Sequence, residues 1–269
     1  MQKPEPTSRT LTSVNTYAAP ALEKGFNVIE LLATEPQGLT ISEIATRLKL
    51  RSISEIFRVI IVMQRRGWVF RDPKSDKVTV TYKVLELAFR ATPAQELTTV
   101  ASPLMHELAQ DIDQSCHLVI NTGIRGLVVL RQETPGPTGL VVRLGSEIPL
   151  LQSCSGHVLL AFADDAKRHE AFAGVDTETE AHGALLDRLN KVRRQGYEQM
   201  PSARTRGVTD MSYPIFGFDG TIVAALTVPF LDVIDGTQTV KRDDARVRLA
   251  ACARAISSKL GDRLPANNN

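Results

Sequence analysis

Two matching helix-start motifs, twelve residues apart, constrain this chain more than any other sequence feature. In Thr40-Ile41-Ser42-Glu43 and again in Ser52-Ile53-Ser54-Glu55, a hydroxyl residue is followed three positions later by a glutamate. The hydroxyl and the carboxylate of such a pair can each accept a hydrogen bond from a free amide in the first turn of a helix. An apolar stripe starting near Pro20 predicts a helix before the first motif, and Gly67 ends the segment after the second. The sequence therefore predicts three short helices, the last two joined by a tight turn as a helix-turn-helix.

A predicted hairpin follows the third helix. Two runs rich in β-forming residues, at 68–71 and 77–82, flank a segment at 72–76 that contains proline and aspartate. This spacing is typical of two short antiparallel strands joined by a turn. We therefore expect a winged helix-turn-helix over residues 18–82, preceded by a flexible arm over residues 1–17 that is rich in Thr, Ser and Pro.

Basic residues are concentrated in the same region. Residues 39–90 contain 11 Lys and Arg but only 5 Asp and Glu, a net charge of +6, whereas residues 91–269 carry −3. This separation is typical of a polyanion-binding module attached to a different domain, although the module could also dock on a protein. Glu55 is expected either to cap its helix or to accept a hydrogen bond from a cytosine amino group. The residues expected to contact a double-stranded DNA operator are Arg51, Ser52, Ser54, Glu55, Arg58, Arg71, Lys74 and Lys77.

Composition excludes several other classes of protein. With 269 residues, 43% of them hydrophobic, the chain suits two ordinary domains and is not disordered as a whole. Its apolar runs fall far short of the roughly 20 residues that a bilayer span needs, and an apolar signal core is missing, so we expect a soluble, cytoplasmic protein with no membrane partner. The three cysteines and five histidines lack disulfide or zinc-ligand spacing, so no metal or cofactor is expected.

The remainder of the chain predicts linker helices and a larger domain. Helical periodicity over residues 83–110 is interrupted by Pro93 and Pro103, so we place linker helices at 83–103, the second domain at 104–262 and a tail at 263–269. Strands are predicted at 115–121, 126–131, 139–144, 202–208, 211–216 and 222–230, and helices at 154–163, 184–194 and 240–260. Strands in two clusters, with helices between and after them, indicate an α+β fold with an antiparallel sheet.

Several of these stretches, taken in order, resemble the IclR family of bacterial transcription regulators. They are Gly38 through Ala45, Arg51 through Arg58, Arg66-Gly67-Trp68, Tyr82 through Leu87, Arg143 through Ser146, Ser153 through Phe162, Tyr213 through Phe216, Asp219-Gly220 and Ala224 through Val228. The resemblance implies a winged helix-turn-helix, a linker helix and a GAF-like effector-binding domain, assembled as a homodimer or homotetramer. It further implies a DNA-binding transcriptional regulator controlled by a small-molecule effector, usually an organic or aromatic acid.

The resemblance also implies a position for the effector. Ser153-Cys154-Ser155-Gly156 precedes an apolar helix, and the first amides of that helix would stabilise an anion. Asp210 and Pro229 differ from the residues usual in the family, which points away from a simple keto acid. Asp210 could accept a hydrogen bond from a ligand hydroxyl, or it could pair with Arg204 or Arg206 in a purely structural role. The expected effector-binding residues are Leu140, Ile148, Ser153, Cys154, Ser155, Asp210, Ser212 and Thr227.

Two Cys-His combinations raise a different possibility, a Cys-dependent enzyme centred on Cys154. Neighbouring residues of a strand face opposite sides, so Cys116 is not expected to pair with His117. Cys154 and His157, spaced by three, could share one face of a helix. Neither combination comes with an orienting motif, and we assign no catalytic residue. A metabolite-binding adaptor that does not bind DNA is the other alternative.

Overall fold

The chain divides into two units, residues 1–92 and residues 93–269. The computed structural model describes residues 19–91, 94–173, 179–233 and 239–261. The division falls inside the linker that the sequence analysis places at residues 83–103. The flexible arm expected at residues 1–17 and the tail at 263–269 lie outside the described residues.

The N-terminal unit is a winged helix-turn-helix. Its elements are α1 (Pro20–Ala33), β1 (Leu39–Thr40), α2 (Ile41–Arg47), α3 (Ser54–Arg65), β2 (Val69–Arg71), β3 (Lys77–Val80) and α4 (Lys83–Ala91). The strands form an antiparallel sheet in the order β1-β3-β2, and β1 is an additional short strand that the sequence did not predict. The side chains of Val28, Ile44, Ile56, Ile60 and Val78 are fully buried in the core of this unit.

The first helix-start motif forms as predicted. The Thr40 hydroxyl accepts a hydrogen bond from the Glu43 amide at 3.3 Å, and the Glu43 carboxylate accepts one from the Thr40 amide at 2.7 Å. Each contact satisfies an amide at the start of α2 that has no partner within the helix. The motif therefore fixes where α2 begins, directly after β1.

The second motif does not form a capping box, and this prediction was wrong. α3 begins at Ser54 without a side-chain cap, and the Ser52 hydroxyl lies 2.7 Å from the Ser54 hydroxyl instead. The Glu55 carboxylate is held by two other groups, the Arg51 amide at 3.0 Å and the Lys24 ammonium of α1 at 2.8 Å. Because it joins α1 to the turn before α3, Glu55 positions this helix rather than capping it in the predicted way.

The C-terminal unit is an α+β domain built on one antiparallel sheet. Its elements are α5 (Ala94–Ile112), β4 (Cys116–Asn121), β5 (Arg125–Gln132), β6 (Glu147–Pro149), α6 (Cys154–Phe162), α7 (Asp165–Ala171), α8 (Glu180–Gln195), β7 (Glu198–Pro201), β8 (Val208–Phe216), β9 (Ile222–Leu231) and α9 (Arg242–Lys259). The six strands lie in the order β6-β5-β4-β9-β8-β7. One apolar core joins the sheet to α5 and α9, and another joins it to α6 and α8. The predicted fold class is confirmed.

Side chains along β4 point alternately to the two faces of the sheet. Cys116 and Leu118 belong to the core beneath α5 and α9, whereas Val119 belongs to the core beneath α6. His117 lies on the same side as Val119, since successive side chains of a strand point to opposite faces. The prediction that Cys116 and His117 face apart is confirmed.

Two of the predicted strands were wrong. Residues 139–144 are irregular, because residues 145–149 already occupy the free edge of β5: Gly145 and Ser146 form backbone hydrogen bonds with Val128, and β6 pairs with residues 125–127. Residues 202–207 form the connection between β7 and β8, closed by a hydrogen bond from the Ser202 amide to the Val208 carbonyl. The strand that pairs with β8 is instead residues 198–201.

α5 continues through Pro103, although the sequence predicted an interruption there. A proline inside a helix removes one hydrogen bond and costs about 3 kcal/mol. Burial of Ala101 and Met105 on the two sides of Pro103 offsets this cost.

α7 is a further element that was not predicted from the sequence. Among the described residues, no helix combines the length and the apolar character needed to cross a membrane.

Candidate functional sites

The outward side of α3 is the first candidate site. Ile56, Ile60 and Met63 bury the inner side of the helix. The exposed residues within the helix are Ser54, Phe57, Arg58, Ile61, Val62, Gln64 and Arg65. The Arg58 guanidinium forms no ion pair with any described residue, so its charge is available to a partner. α3 thus presents a slim surface of hydroxyl, cationic and apolar groups, of the size that enters a DNA major groove.

The other residues predicted to contact DNA differ in whether their side chains are exposed and free of ion pairs. The side chains of Arg51 and Lys74 are exposed and make no ion pair within the described part of the chain. Lys77 is half-buried at the start of β3. Arg71 is engaged: its guanidinium donates two hydrogen bonds to the Asp76 carboxylate, at 2.8 and 2.7 Å, and this contact lowers the pKa of Asp76. Arg71 therefore holds the turn of the wing together.

A cavity of about 350 Å³ on the α6 side of the sheet is the second candidate site. Seven of the eight predicted effector-binding residues line it: Leu140, Ile148, Ser153, Cys154, Ser155, Asp210 and Thr227. The eighth, Ser212, is not among the residues that line the cavity. Its side chain is fully buried, and its hydroxyl lies 2.9 Å from the Thr227 hydroxyl.

Two buried polar side chains in the cavity wall, His117 and Ser155, have no hydrogen-bond partner among the described residues. His117 is 6% exposed and Ser155 is 3% exposed, and both face the cavity. Burial lowers the pKa of His117 to about 4, so the imidazole is neutral at neutral pH. A ligand in the cavity can therefore form hydrogen bonds with both side chains.

The N-terminus of α6 opens onto the same cavity. The Ser153 hydroxyl donates to the Pro149 carbonyl at 2.7 Å and accepts from the Gly156 amide at 3.0 Å. Cys154 and Ser155 occupy the first two helical positions, where amides have no partner within the helix. The aligned peptide dipoles also give this end of the helix a partial positive charge. This end of α6 is therefore suited to an anion, and the Ser155 hydroxyl adds a further donor.

The Cys154 thiol is a structural group. It donates to the backbone carbonyls of Glu198 and Asp210, at 3.4 Å each, and burial raises its pKa well above the usual range. His157 forms its hydrogen bonds with the Glu198 carboxylate, at 3.2 Å, and the Leu151 carbonyl, at 3.1 Å. With the thiol protonated and the imidazole turned to other partners, the pair lacks the geometry of an activated nucleophile.

Charged groups lie at the edges of the cavity. Asp210 is half-buried, and burial raises its pKa although a hydrogen bond with Ser202 acts in the opposite direction. Among the described residues it forms no ion pair with Arg204 or Arg206, so the alternative of a strand-end ion pair is wrong. Arg143 and Arg204 also line the cavity, with exposed side chains. A negatively charged ligand would therefore meet cations near the opening.

Several residues that line the cavity were not predicted from the sequence, including His117, Arg143, Gln152 and Arg204. Strand alternation placed His117 opposite Cys116, but this pattern could not tell which face of the sheet holds the cavity. Arg143 and Arg204 lie in the two segments that were misassigned as strands.

Two families of protein domain match the chain over most of its length. The IclR helix-turn-helix domain matches residues 21–73, and the family described as bacterial transcriptional regulator IclR C-terminal matches residues 89–258. The chain belongs to the IclR family. IclR-family proteins are transcriptional regulators and not enzymes, so the alternative of a Cys-dependent enzyme is excluded for this family member. Its N-terminal unit is the DNA-binding helix-turn-helix, and its C-terminal unit is the effector-binding domain.

Named relatives of this IclR-family protein are similar along nearly their whole length. The HTH-type transcriptional regulator KdgR of Escherichia coli K12 is 27% identical over 247 residues, which cover 88% of this chain and 91% of KdgR. BhcR of Paracoccus denitrificans is 29% identical over 239 residues, 84% of this chain and 80% of BhcR. The crystal structure of an IclR homologue from Microbacterium hydrocarbonoxydans, in complex with 4-hydroxybenzoate, superposes with a TM-score of 0.74 at 25% identity and covers 89% of this chain and 98% of that one.

Proposed function

We propose that this IclR-family regulator binds a small organic acid in the cavity beside α6, and that the bound acid sets its affinity for a DNA operator. The observation that carries the proposal is the convergence of two unpartnered buried groups, His117 and Ser155, with the open N-terminus of α6 in one cavity of about 350 Å³. That volume lies in the range of pockets that hold small ligands. The cavity has both an anion-stabilising end and apolar walls.

The carboxylate of the acid is proposed to lie at α6. There the amides of Cys154 and Ser155 and the Ser155 hydroxyl would donate to it, with the positive charge of Arg143 and Arg204 near the opening. Leu140 and Ile148 would contact the hydrocarbon part of the ligand. The homologue that carries 4-hydroxybenzoate supports an aromatic acid among the possible acids. Asp210 would accept a hydrogen bond from a hydroxyl at the other end of such a ligand.

On the DNA side, α3 is proposed to enter the major groove of a double-stranded operator. Arg58 would contact base edges or phosphates, and Arg51 and Lys74 would contact phosphates beside it. One winged domain covers only a short site, so a homodimer or homotetramer would bind paired half-sites. Operators lie in the bacterial cytoplasm, and the protein would act there. The ligand must bind two arrangements of the DNA-binding domains with different affinity if it is to control them.

Thermal unfolding with added acids tests the proposal. A ligand present at 100 times its Kd adds about 2.7 kcal/mol, which corresponds to a rise in Tm of roughly 5–10 °C for a domain of this size. 4-Hydroxybenzoate and benzoate are the first compounds to compare. Ser155→Ala should reduce the rise, whereas Ser258→Ala, at an exposed position on α9, should leave it unchanged.

The same acid should alter the retardation of a DNA fragment from the region upstream of the protein's own gene. If no carboxylic acid raises the Tm, the assignment of the cavity is wrong. If an acid binds but the fragment is never retarded, the protein is instead a metabolite-binding adaptor.

A further inference from the structure

An apolar ridge runs along the outward side of α3. It consists of Ile53, directly before the helix, and Phe57 and Ile61 within it. Residues four apart stand one above the other on a helix surface, so the three side chains form one row. Their exposed fractions are 47%, 43% and 42%. Large apolar side chains grouped in this way on a surface mark an interaction site.

The groups around this apolar ridge favour DNA as its occupant. Ser54 and Arg58 form the adjacent row of the helix and are exposed, and Arg58 has no ion-pair partner among the described residues. Arg51 lies before the helix and Arg65 at its end, both exposed. An apolar row flanked by cations complements a surface that carries phosphates and also apolar groups. The DNA major groove is such a surface, because each thymine presents a 5-methyl group there.

We infer that Phe57 and Ile61 read thymine methyl groups in the major groove, and so determine part of the operator sequence. The inference rests on the proposed binding of DNA through α3 and adds the chemistry of the bases that are read. Arg58, one residue from Phe57, has the geometry to pair with the O6 and N7 atoms of guanine. The operator half-site therefore contains one or more thymines within a few base pairs of a guanine.

Replacement of thymine by deoxyuridine tests this inference, since it removes only the methyl group and preserves base pairing. The full-length protein is first used to select a bound duplex from a pool of randomised double-stranded DNA. Each thymine of the selected half-site is then replaced in turn. The wild-type protein should lose affinity by roughly three- to fourfold for each methyl group that the ridge contacts.

Variants of the apolar ridge show whether Phe57 is responsible for the loss of affinity that deoxyuridine causes. Phe57→Ala should bind the thymine duplex more weakly than wild type and should lose little more with deoxyuridine. Phe57→Leu, which keeps an apolar side chain, should retain most of the sensitivity to the methyl group. Because Phe57 is 43% exposed, both variants should keep the wild-type Tm, which verifies that they fold.

Phe26→Ala is the matched control. Phe26 is also a phenylalanine and is 56% exposed, but it lies on α1 and not on α3. This variant should keep both wild-type affinity and the full deoxyuridine effect, whereas Ile61→Ala should reduce the effect.

Four outcomes overturn the inference. Equal affinity for the thymine and deoxyuridine duplexes, or a selected half-site without thymine, leaves DNA binding intact but removes the role of the ridge. A deoxyuridine effect that persists in Phe57→Ala, together with loss of self-association in sedimentation, makes the ridge a contact between two copies of this chain. If no sequence is enriched at all, the proposed DNA binding itself fails, and the inference fails with it.

Discussion

At the scale of single residues, hydrogen bonding separates the polar groups that hold the domain together from those left for a ligand. Glu198 is buried, which by itself raises the pKa of its carboxyl. Hydrogen bonds from His157 and Arg188, the latter at 2.6 Å, outweigh this and keep the pKa below its usual value. His117 and Ser155 lie in the same region but have no such partners among the described residues. The first set joins α6, α8 and β7, and the second faces the cavity.

Burial of His117 predicts a loss of stability in mild acid. Its pKa in the folded protein is about 4, below the ordinary 6.5, so between these pH values the unfolded chain binds a proton that the folded chain does not. Stability is therefore complete above pH 6.5 and falls as the pH is lowered towards 4. At pH 5 the expected loss from this residue is about 2 kcal/mol.

Denaturant unfolding of wild type and His117→Gln at pH 7 and pH 5 measures this loss. The difference between the two proteins isolates His117, because the other titrating groups are common to both. The same pH dependence in both proteins would show that His117 is not the responsible group.

At the scale of elements, two glycines within helices differ in the space that surrounds them. A Cβ atom at Gly156 of α6 would collide with the backbone of Leu150, whereas one at Gly183 of α8 would meet nothing within 4 Å. Gly156→Ala should therefore destabilise the protein by about 1–3 kcal/mol and displace the start of α6. Gly183→Ala should stabilise it by about 0.5–1 kcal/mol, since alanine favours the helix.

The free energies of unfolding of both variants in denaturant test this contrast. Ligand binding adds a second readout, because only Gly156→Ala moves the helix end that faces the cavity. A Gly156→Ala protein as stable as wild type would mean that α6 can move away from Leu150 at no cost.

Elements with strong local signals could be predicted from the sequence. α1, α2 and α6 were identified from Pro20, from the Thr40–Glu43 pair and from Ser153, each of which acts within one turn of its own helix. β6 and β7 could not be identified in this way. Their positions are set by the strands beside them, β5 and β8, which are distant in the sequence or separated by a loop. The β-branched pair Val141-Val142 has strand propensity, but the edge of β5 is already occupied.

The same limit applies to the candidate sites. The family pattern was sufficient to place seven predicted residues around one cavity, because they lie on α6, on the central strands or beside them. Ser212 does not line the cavity because its hydroxyl is buried against Thr227 of β9, a contact between strands that alternation along β8 alone does not reveal. Glu55 was assigned as a cap because Lys24, its partner on α1, is 31 positions away in the sequence.

At the scale of the whole molecule, the separation of charge predicts a strong dependence of DNA binding on salt. The basic excess lies in residues 39–90, within the unit that contains α3, whereas residues 91–269 are mildly acidic. Each phosphate contact contributes about −0.9 to the slope of log affinity against log salt concentration. Lys74→Ala should therefore make the slope less negative by about one for each copy bound. Arg58→Ala should lower the affinity by more than the loss of one phosphate contact accounts for, because Arg58 is also proposed to contact bases.

Arg47→Ala is the control for these variants. It changes the net charge by the same amount, but Arg47 is already paired with Glu35 at 3.0 Å. Its slope should match that of wild type in binding titrations at several salt concentrations. A slope that falls equally in all three variants would indicate a general charge effect and not contacts at defined positions.

Part of the cavity wall comes from residues 140–143 and 202–205, which belong to neither a helix nor a strand. None of these residues is among the fully buried side chains of the two cores. Mutations in these two segments should therefore alter the shape and charge of the cavity while the folded framework is preserved. In a scaffold of this kind, ligand preference can diverge faster in evolution than the architecture.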